Sequence, residues 1–583
     1  MVDYILVTTL EKKLYDNPEN TVFLGEWVRD NLSESHKEFS NCQVLDYHWN
    51  DKTKYNKDYH YLNDLYETIL VSLSNSLNAI HEINKPIRYW RILIGPWLQD
   101  FIQICFDRWE MIGVAGNNPK IKITKIISID ESSIIPIDFA QLRSFECGDK
   151  WNHWIYGEVI KYRNYFKIYE LNSDEFFTED KILSKSKNKF FFDQVLMFFK
   201  KFFFKKITFN KKYFIHSSQF SRFKKLFLEL LLLEFPSLNG SYNNSMNTIN
   251  QNQRSQILFN KGNNDFESFL KKMIPKQIPF SYMEGFNELQ KESKTMPWPF
   301  NPKIILTTGG CYFDELFKIW AAEKTSKGSL LFCAQHGGHY GTGLISTPEK
   351  HERNISDKFL SWGWNGENVK PLASPKLSGL NTRTNLINNG CCVLIQNVTP
   401  RYSYSMFSSV VSSMQVEYLK QQFQFVESLS RTVKKDLVVR LFPSDFGWMQ
   451  RQKWNHKFPG VILDNSIPYL DQINSAKLVI ATYNATTFLE TLSANIPTLI
   501  FWDESHWEVN KESKYYFKIL KNAGILHPNP ESASRQLNSI WSDVDAWWNS
   551  EKVKSAINIF CSKYAKKSDK CVKDWAHYLS ENY

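Results

Sequence analysis

Short apolar runs, separated by stretches with helical spacing, recur along this chain and set its predicted architecture. Tyr4–Thr9 is an apolar run with β-branched residues, which predicts a strand near the start of the sequence. From Tyr61 to Ile80, leucine and isoleucine recur every three or four residues, the spacing of an amphipathic helix. Pro302–Thr308 restarts the strand pattern, and Leu330–Ala334 predicts a buried strand with glycine on both sides. Strands alternating with helices predict the α/β class.

The alternation is most regular in the second half of the chain. Helical patterns at Met414–Leu429 and Thr486–Ser493 lie between several short apolar runs, as in a doubly wound nucleotide-binding domain. Those runs are Cys391–Gln396, Leu437–Leu441, Val461–Leu463, Leu478–Thr482 and Thr498–Phe501.

A hinge is predicted at Lys370–Asn389, which is rich in Pro, Ser, Gly and Asn and has little periodicity. We therefore predict an N-terminal α/β domain over residues 1–370 and a C-terminal nucleotide-binding domain over 371–545. A helical tail over 546–583 follows, and we expect it to pack back across the domain junction.

Between about residues 160 and 300 the composition changes, which predicts a helical insertion. Lys185–Lys212 interleaves groups of phenylalanine with lysine. Such a segment suits the headgroup zone of an anionic membrane, a single-stranded nucleic-acid groove, or an insertion whose Phe side chains simply fill a core. Membrane contact is the better functional interpretation, because no nucleic-acid-binding module accompanies the charge. Asn239–Asn264, rich in Asn, Ser and Gln, predicts a connector.

Bulk properties narrow the picture only a little. A chain of 583 residues is too long for a single core, and a net charge of +10 indicates an anionic partner. The nine cysteines have no zinc-site spacing, which fits a reducing compartment. Neither a signal peptide nor a membrane-spanning apolar stretch is recognisable. We expect a cytoplasmic protein, peripheral on the inner membrane at most.

The strand Leu330–Ala334 ends in a loop rich in chemistry. Gln335, His336, two glycines and His339 follow it directly. Glycine lets the backbone approach a ligand closely, histidine titrates near neutral pH, and the carboxyl ends of parallel strands are where α/β folds place ligands. The alternative is a flexible turn with ordinary surface histidines. We predict a site with His336 as its catalytic candidate and Gln335, Gly337 and His339 as ligand contacts.

A second strand-to-helix turn carries a predicted anion site. The strand around Ile480 runs into Asn484, Thr486 and Thr487, and Glu490 lies one turn into the following helix. Thr and Asn are preferred helix caps, but free amides at a helix start also bind anions, and a carboxylate one turn in can accept from ribose hydroxyls. Without a glycine-rich loop, a nucleoside mono- or diphosphate fits better than a triphosphate.

Two arginines are further phosphate candidates. Arg440 lies at the end of the apolar run Leu437–Leu441, where it predicts either a phosphate contact or a structural salt bridge. Arg401 follows the first strand of the C-terminal domain and has weaker support.

Six motifs together resemble one bacterial family, that of surface-polysaccharide transferases encoded with O-antigen and nonulosonic acid genes. They are Phe23-Leu-Gly-Glu-Trp27, Tyr47-His-Trp49, Tyr89-Trp-Arg-Ile-Leu-Ile-Gly-Pro-Trp97, Trp151-Asn-His-Trp154, Gln335-His-Gly-Gly-His-Tyr-Gly341 and Tyr483-Asn-Ala-Thr-Thr-Phe-Leu-Glu490. The resemblance implies a GT-B-like fold, in which two Rossmann-type domains face an inter-domain cleft.

The chain is more loosely similar to capsule transferases that use CMP-activated Kdo or pseudaminic acid. In those enzymes a strand-end QHG element and an Arg-x-His-Pro element face the cleft. This chain has Arg440-Leu-Phe-Pro443, with Phe442 in place of the histidine, which puts a second imidazole in doubt.

These resemblances imply a glycosyltransferase that moves a nonulosonic acid from a CMP-sugar to a surface glycan or lipid-linked acceptor. The CMP-sugar is a co-substrate, so we expect no resident cofactor, no metal and no nucleic-acid partner. His336 would orient the sugar carboxylate or act as general base, with Glu26, Asp51 and Asp314 as alternative bases. Two other functions stay open: a phosphotransferase using a CDP-polyol, and a non-catalytic lipid- or nucleic-acid-binding protein.

Overall fold

The computed structural model describes residues 3–15, 17–30, 34–172, 208–235, 248–385, 387 and 389–582. The strands within these ranges form three sheets, which we call sheets A, B and C. Each pairing between neighbouring strands in them is parallel. The predicted α/β fold, with Rossmann-type parallel sheets across a cleft, is confirmed.

Sheet A has the order β3-β2-β1-β4-β5, in which the chain reverses direction across the sheet beside its first strand. Leu6 of β1 lies opposite Val22 of β2 and Thr124 of β4. The strands are β1 (Tyr4–Val7), β2 (Thr21–Phe23), β3 (Gln43–Val44), β4 (Ile121–Ile127) and β5 (Lys167–Leu171).

Sheet B has the strictly sequential order β10-β9-β8-β7-β6. Its central strand is the predicted Leu330–Ala334 run, with Phe332 opposite Leu306 on one side and Lys358 on the other. The strands are β6 (Tyr213–Ile215), β7 (Ile304–Thr307), β8 (Leu330–Ala334), β9 (Lys358–Ser361) and β10 (Val369–Pro371).

Sheet C has the order β13-β12-β11-β14-β15-β16, the arrangement of a dinucleotide-binding domain. Leu394 of β11 lies opposite Val439 of β12 and Ile480 of β14. The strands are β11 (Cys392–Ile395), β12 (Leu437–Arg440), β13 (Ile462–Leu463), β14 (Leu478–Ala481), β15 (Thr498–Phe501) and β16 (Leu526–His527).

Helices cover the sheets and join them. Those before the last strand of sheet B are α1 (Glu26–Arg29), α2 (Lys52–Ile80), α3 (Ile87–Gly116), α4 (Phe139–Phe145), α5 (Asp149–Arg163), α6 (Arg222–Leu231), α7 (Gln251–Arg254), α8 (Asp265–Gln277), α9 (Phe286–Thr295), α10 (Gly310–Phe313), α11 (Glu315–Thr325) and α12 (Thr347–Ile355). Those after it are α13 (Met414–Glu427), α14 (Arg431–Lys435), α15 (Gln450–Lys457), α16 (Tyr469–Ser475), α17 (Thr486–Ser493), α18 (Lys511–Asn522), α19 (Pro530–Ile540), α20 (Val544–Trp548), α21 (Glu551–Tyr564) and α22 (Cys571–Glu581).

The N-terminal half differs from the predicted plan of one domain over residues 1–370. It holds two sheets, because β5 and β6 are edge strands of different sheets although both lie in the range predicted as a helical insertion. Most of the Phe/Lys segment Lys185–Lys212 lies outside the described residues.

Helix α3 is the central support of the N-terminal half. Of its 30 residues, 23 are buried, so it contacts neighbours on nearly every side. Five of the buried residues are polar or charged: Gln99, Asp100, Gln103, Asp107 and Arg108. Pro96 lies inside it, so the motif Tyr89–Trp97 belongs to one continuous helix. Trp90 and Trp97 are fully buried, which makes them core residues.

The C-terminal helix α22 packs on sheet B. Trp575 and Leu579 are buried in one apolar cluster with Phe332 of β8 and Leu372, and the Trp575 indole donates to the Ala373 carbonyl at 2.9 Å. Among the described residues, no helix combines the length and apolar character needed to cross a membrane.

Candidate active-site cleft

A cleft of about 710 Å³ lies between the carboxyl ends of sheets B and C. Its sheet B wall comes from the residues after β6 and from the connector between β10 and β11. Its sheet C wall comes from the loops after β11, β12 and β14 and from the starts of α16 and α17. The residues used below are Lys224, Lys376, Arg440, Phe442, Tyr469, Tyr483, Thr486, Thr487 and Glu490.

The lining is positively charged. Among the lining residues that the structure describes, Lys224, Lys376 and Arg440 are cationic and Glu490 is the one carboxylate. Cations on low-dielectric walls raise the local concentration of anions. The cleft therefore suits an anionic ligand.

The N terminus of α17 opens into this cleft without a side-chain cap. Its N-cap residue is Ala485, and no side chain accepts a hydrogen bond from the first turn. The first-turn amides of a helix attract anions when no cap satisfies them. A Thr or Asn side chain therefore does not cap this helix. The helix start is compatible with the predicted anion site.

The Gln335–Gly341 motif of the N-terminal half contacts the Tyr483–Glu490 motif of the C-terminal half at the cleft. The Gly338 amide donates to Thr486 Oγ1 at 2.9 Å. A Cβ on Gly338 would lie 2.3 Å from the backbone C and O of Ala485, so only glycine allows this approach. At Gly337, a Cβ would be 3.3 Å from Thr486 Oγ1. The histidine–glycine turn after β8 therefore rests on the start of α17.

Gln335 is occupied in holding that turn. Its Oε1 accepts from the Trp362 amide and the Trp364 indole, each at 2.9 Å, and its Nε2 donates to the Gly337 carbonyl at 2.8 Å. The side chain is buried and fully engaged. We therefore assign Gln335 a structural task in place of the predicted contact with the nucleotide-sugar donor.

His336 is not one of the residues that line the cleft, but it lies beside one of them, Gln219. Its side chain is 45% exposed, and its Nδ1 lies 3.7 Å from Oε1 of Glu352. Its backbone carbonyl accepts from Gln219, which lines the cleft. Burial would lower the pKa of His336, but the Glu352 carboxylate outweighs it and raises this pKa above the ordinary value.

Glu352 was missed by sequence reasoning. It is buried on α12, and neither carboxylate oxygen accepts a hydrogen bond among the described residues. A buried carboxylate without such partners depends on a nearby cation, and the neighbouring imidazole can supply one when protonated. The sequence carried no signal of this pairing, since Glu352 lies in an ordinary helical pattern.

His339 and Asn484 were both predicted to contact the nucleotide-sugar donor. Both side chains are buried. His339 Nε2 lies 3.1 Å from the Ser408 carbonyl, and burial lowers the pKa of His339 to about 4, so the ring is neutral. The Asn484 amide lies 3.4 Å from Thr342 Oγ1. Both side chains fasten the turn to sheet C, which is a structural task.

Glu490 lines the cleft, but its carboxylate is already engaged. Lys376 Nζ lies 2.8 Å from Oε1, and the Tyr469 hydroxyl donates to Oε2 at 2.8 Å. A ribose hydroxyl would have to displace one of them. The geometry instead gives Glu490 the task of holding Lys376 and Tyr469 in the cleft wall.

Arg440 and Thr487 both line the sheet C wall of the cleft. Arg440 Nη1 donates to the Ile467 carbonyl at 2.9 Å and to Gln472 Oε1 at 2.8 Å, and both of these partners are neutral. Thr487 Oγ1 lies 2.5 Å from the Tyr483 hydroxyl. Phe442 is exposed in the same wall, so an aromatic ring lies where the related pattern has histidine.

Arg401, the other arginine that was predicted to contact the phosphate of the nucleotide sugar, lies outside the cleft. It donates to Asp149 Oδ2 at 2.6 Å and to the Trp27 carbonyl at 3.0 Å, which joins the loop after β11 to the sheet A half. This buried ion pair explains the residue without a ligand.

Two of the predicted carboxylate bases also lie away from the cleft. Glu26 begins α1 and forms an ion pair with Arg29. Asp51 caps α2 by accepting from the Thr53 and Lys54 amides at 2.9 and 3.1 Å. Neither lines the cleft, so we do not retain them as bases.

Asp314 lies directly before α11, in the connection that follows β7, and it has two structural partners. It caps α11 by accepting from the Phe317 amide at 3.0 Å, and its Oδ2 lies 3.1 Å from His216 Nε2. His216 follows β6 and stacks on Phe317 with centroids 3.8 Å apart. The run Tyr213-Phe-Ile-His216 repeats the strand-then-histidine pattern of β8, a signal that could have pointed to His216.

A family model matches residues 4–579, nearly the whole chain, and describes LIC12162 family transferases. The chain belongs to the LIC12162 family of transferases. None of the curated proteins compared with this transferase matches it.

Solved structures match it distantly. The S. aureus MnaA–UDP complex is 11% identical, over 51% of this chain and 78% of that one, with a TM-score of 0.32. An α-glucosyltransferase in complex with UDP and DNA is 14% identical, over 50% and 82%, with a TM-score of 0.29. The α,α-trehalose 6-phosphate synthase of Burkholderia multivorans is 9% identical, over 57% and 77%, with a TM-score of 0.27. We draw nothing about the site from likenesses this distant.

Proposed function

We propose that this LIC12162 family transferase moves a nonulosonic acid from a CMP-activated donor onto a hydroxyl of a surface glycan or lipid-linked acceptor. The sugar would be pseudaminic, legionaminic or Kdo-like. The observation that carries the proposal is the contact of the His336 turn with the uncapped start of α17, beside a cationic cleft. The resemblance to CMP-sugar transferases supports the choice of donor.

In this proposal the nucleotide lies on the sheet C wall. The phosphate meets the first amides of α17 with Thr486 and Thr487, while Arg440 and Lys376 supply positive charge. Phe442 offers a ring face to the cytosine or the sugar. The sugar carboxylate adds a second negative charge, which suits a lining with three cations and one carboxylate.

The reaction forms a bond from the acceptor hydroxyl oxygen to the anomeric carbon and breaks the bond from that carbon to the phosphate oxygen. The electron pair leaves with CMP, where preorganised amides and cations stabilise the developing charge. His336 accepts the hydroxyl proton as general base, using the ring nitrogen that does not face Glu352.

The direct test is a panel of CMP-sugars and CDP-polyols, with release of CMP and product mass as readouts. CMP release from a nonulosonate donor is expected, and His336→Ala should lower it about 100-fold or more while CMP binding persists. A matched control is Lys420→Ala, an exposed lysine paired with Glu417 on α13. An active His336→Ala variant would remove the base assignment.

A phosphotransferase acting on a CDP-polyol is the second candidate, because an uncapped helix start and a cationic wall suit a phosphate whichever bond breaks. Polyol-phosphate transfer in the same panel would replace the first proposal. The non-catalytic alternative rested on Lys185–Lys212, most of which is outside the described residues, so turnover of either donor decides against it.

A further inference from the structure

Exposed apolar side chains concentrate on one face of sheet B. Of the 23 large apolar residues that are exposed in the described parts of the chain, eight lie between residues 209 and 235. They include Phe223 at 85%, Leu233 at 93% and Phe235 at 64% exposure. Single exposed apolar residues are normal, whereas a concentration of this kind marks an interaction surface.

Helix α6 carries most of this surface. Leu228 and Leu232 face inward and are buried in the sheet B cluster with Trp575. Phe223, Leu226, Phe227 and Leu230 have the spacing of a second stripe and are exposed. A helix that simply covers a sheet has a polar outer face; this one is apolar outside as well. We call the exposed set the α6 face: Phe209, Phe223, Leu226, Phe227, Leu230, Leu231, Leu233, Phe235 and Phe300.

The α6 face continues past the helix onto the amino end of sheet B. Glu234 Oε1 accepts from the Lys212 and Tyr213 amides at 2.6 and 3.0 Å, so the end of the helix segment lies against the start of β6. There Phe209 and Phe300, both exposed, stack with centroids 4.9 Å apart. The apolar surface is therefore broader than a single helix stripe.

The charges around the α6 face are mainly basic. Residues 208–235 contain five cationic side chains (Lys211, Lys212, Arg222, Lys224 and Lys225) and two carboxylates. Lys211 and Glu229 are buried together, with Nζ 3.8 Å from Oε1, so this pair adds no charge to the surface. Of the other four cations, Lys212 and Arg222 are exposed and Lys224 and Lys225 are half-buried, while Glu234 accepts from backbone amides. At the other end, Lys324 Nζ lies 5.0 Å over the Phe300 ring.

An apolar centre with a basic rim is the pattern of a surface that enters the headgroup zone of an anionic bilayer. The start of α6 also borders the cleft, which Phe220, Ser221 and Lys224 line. We propose that the α6 face docks this transferase on an anionic phospholipid bilayer, with the cleft opening beside the lipid surface. That a lipid-linked acceptor reaches the cleft this way rests on the proposed function, whereas the docking does not.

The test is flotation of the full chain with vesicles of phosphatidylcholine plus phosphatidylglycerol and with vesicles of phosphatidylcholine alone. Binding to the anionic vesicles is expected, weakening with salt because the rim is basic. The triple variant Phe223→Ser, Phe227→Ser, Leu230→Ser should lose about tenfold or more of it. The matched control Tyr515→Ser removes an equally exposed aromatic on α18 and should bind like the wild type.

Four outcomes would overturn the proposal. Wild type that stays off anionic vesicles excludes lipid docking, and a triple variant that floats like wild type excludes docking through the α6 face. If neither protein binds vesicles and the triple variant melts well below wild type, another part of this chain covers the α6 face. A dimer that the triple variant breaks, again without vesicle binding, indicates a second copy. Because the readout needs no turnover, this failure is distinct from failure of the CMP-sugar panel.

Discussion

Replacing Gly338 by alanine tests whether the contact between the two halves organises the cleft. The new Cβ would lie 2.3 Å from the backbone C and O of Ala485 and 2.7 Å from the Thr486 amide nitrogen, where ordinary contacts are 3.4–4 Å. The obstacle is backbone, so no side chain can rotate away. The turn and the start of α17 would have to separate by about 1 Å, and the Gly338–Thr486 hydrogen bond would be lost.

A displacement of that size in a positioned site costs about 100-fold in rate, and the overpacking costs about 1–3 kcal/mol of unfolding free energy. We therefore expect Gly338→Ala to fold, to melt a few degrees lower and to lose about two orders of magnitude in kcat/KM for the CMP-sugar. Steady-state kinetics and thermal unfolding on the same preparation measure both effects.

Two glycines nearby serve as matched controls. Gly337→Ala would bring its Cβ to 3.3 Å from Thr486 Oγ1, a contact that a shift of a few tenths of an ångström relieves, and Gly379→Ala, in the cleft wall, would meet nothing within 4 Å. Both should retain most activity. Wild-type kinetics for Gly338→Ala would refute the view that this contact positions the site.

Three further predictions concern single charges. Glu352→Gln should shift the acidic limb of the pH profile of kcat/KM to lower pH, because Glu352 raises the pKa of His336 and a general base must be neutral. Lys376→Ala should weaken CMP binding about tenfold or more by calorimetry, since a charge-assisted contact contributes about 1.5–3 kcal/mol. Arg401→Ala should lower the unfolding free energy by about 3 kcal/mol by leaving Asp149 without its ion-pair partner, while CMP binding persists.

The Arg401 prediction also has a pH dependence. Burial alone would raise the pKa of Asp149, but Arg401 and hydrogen-bond donors hold that pKa below its ordinary value. The ion pair therefore contributes fully above the unfolded-state pKa and is lost as pH falls through the lower folded-state value. The difference in stability between wild type and Arg401→Ala should be largest near neutral pH and shrink in acid; a difference independent of pH would contradict the ion-pair account.

Much of the fold could be predicted from the sequence because the strands are short, parallel and buried on both faces. Such strands are continuous apolar runs, so β8 coincides with the predicted Leu330–Ala334, and β11 to β15 lie within their predicted ranges. The two turns that meet at the cleft were also identified, since the carboxyl ends of buried parallel strands are where α/β folds place ligands. These are local properties of consecutive residues.

Only the tertiary structure decided which strands share a sheet and which side chains share a site. Nothing local places β5 and β6 in different sheets. Arg401 and Arg440 both lie at or after the end of an apolar strand of the C-terminal half. Asp149, 252 positions away, forms an ion pair with Arg401, whereas the hydrogen bonds of Arg440 within the described residues go to neutral groups. The His336–Glu352 and Glu490–Lys376 pairings, likewise, arise from packing between elements. Partners of a charge are set by how distant segments fold together, which residue type and spacing do not encode.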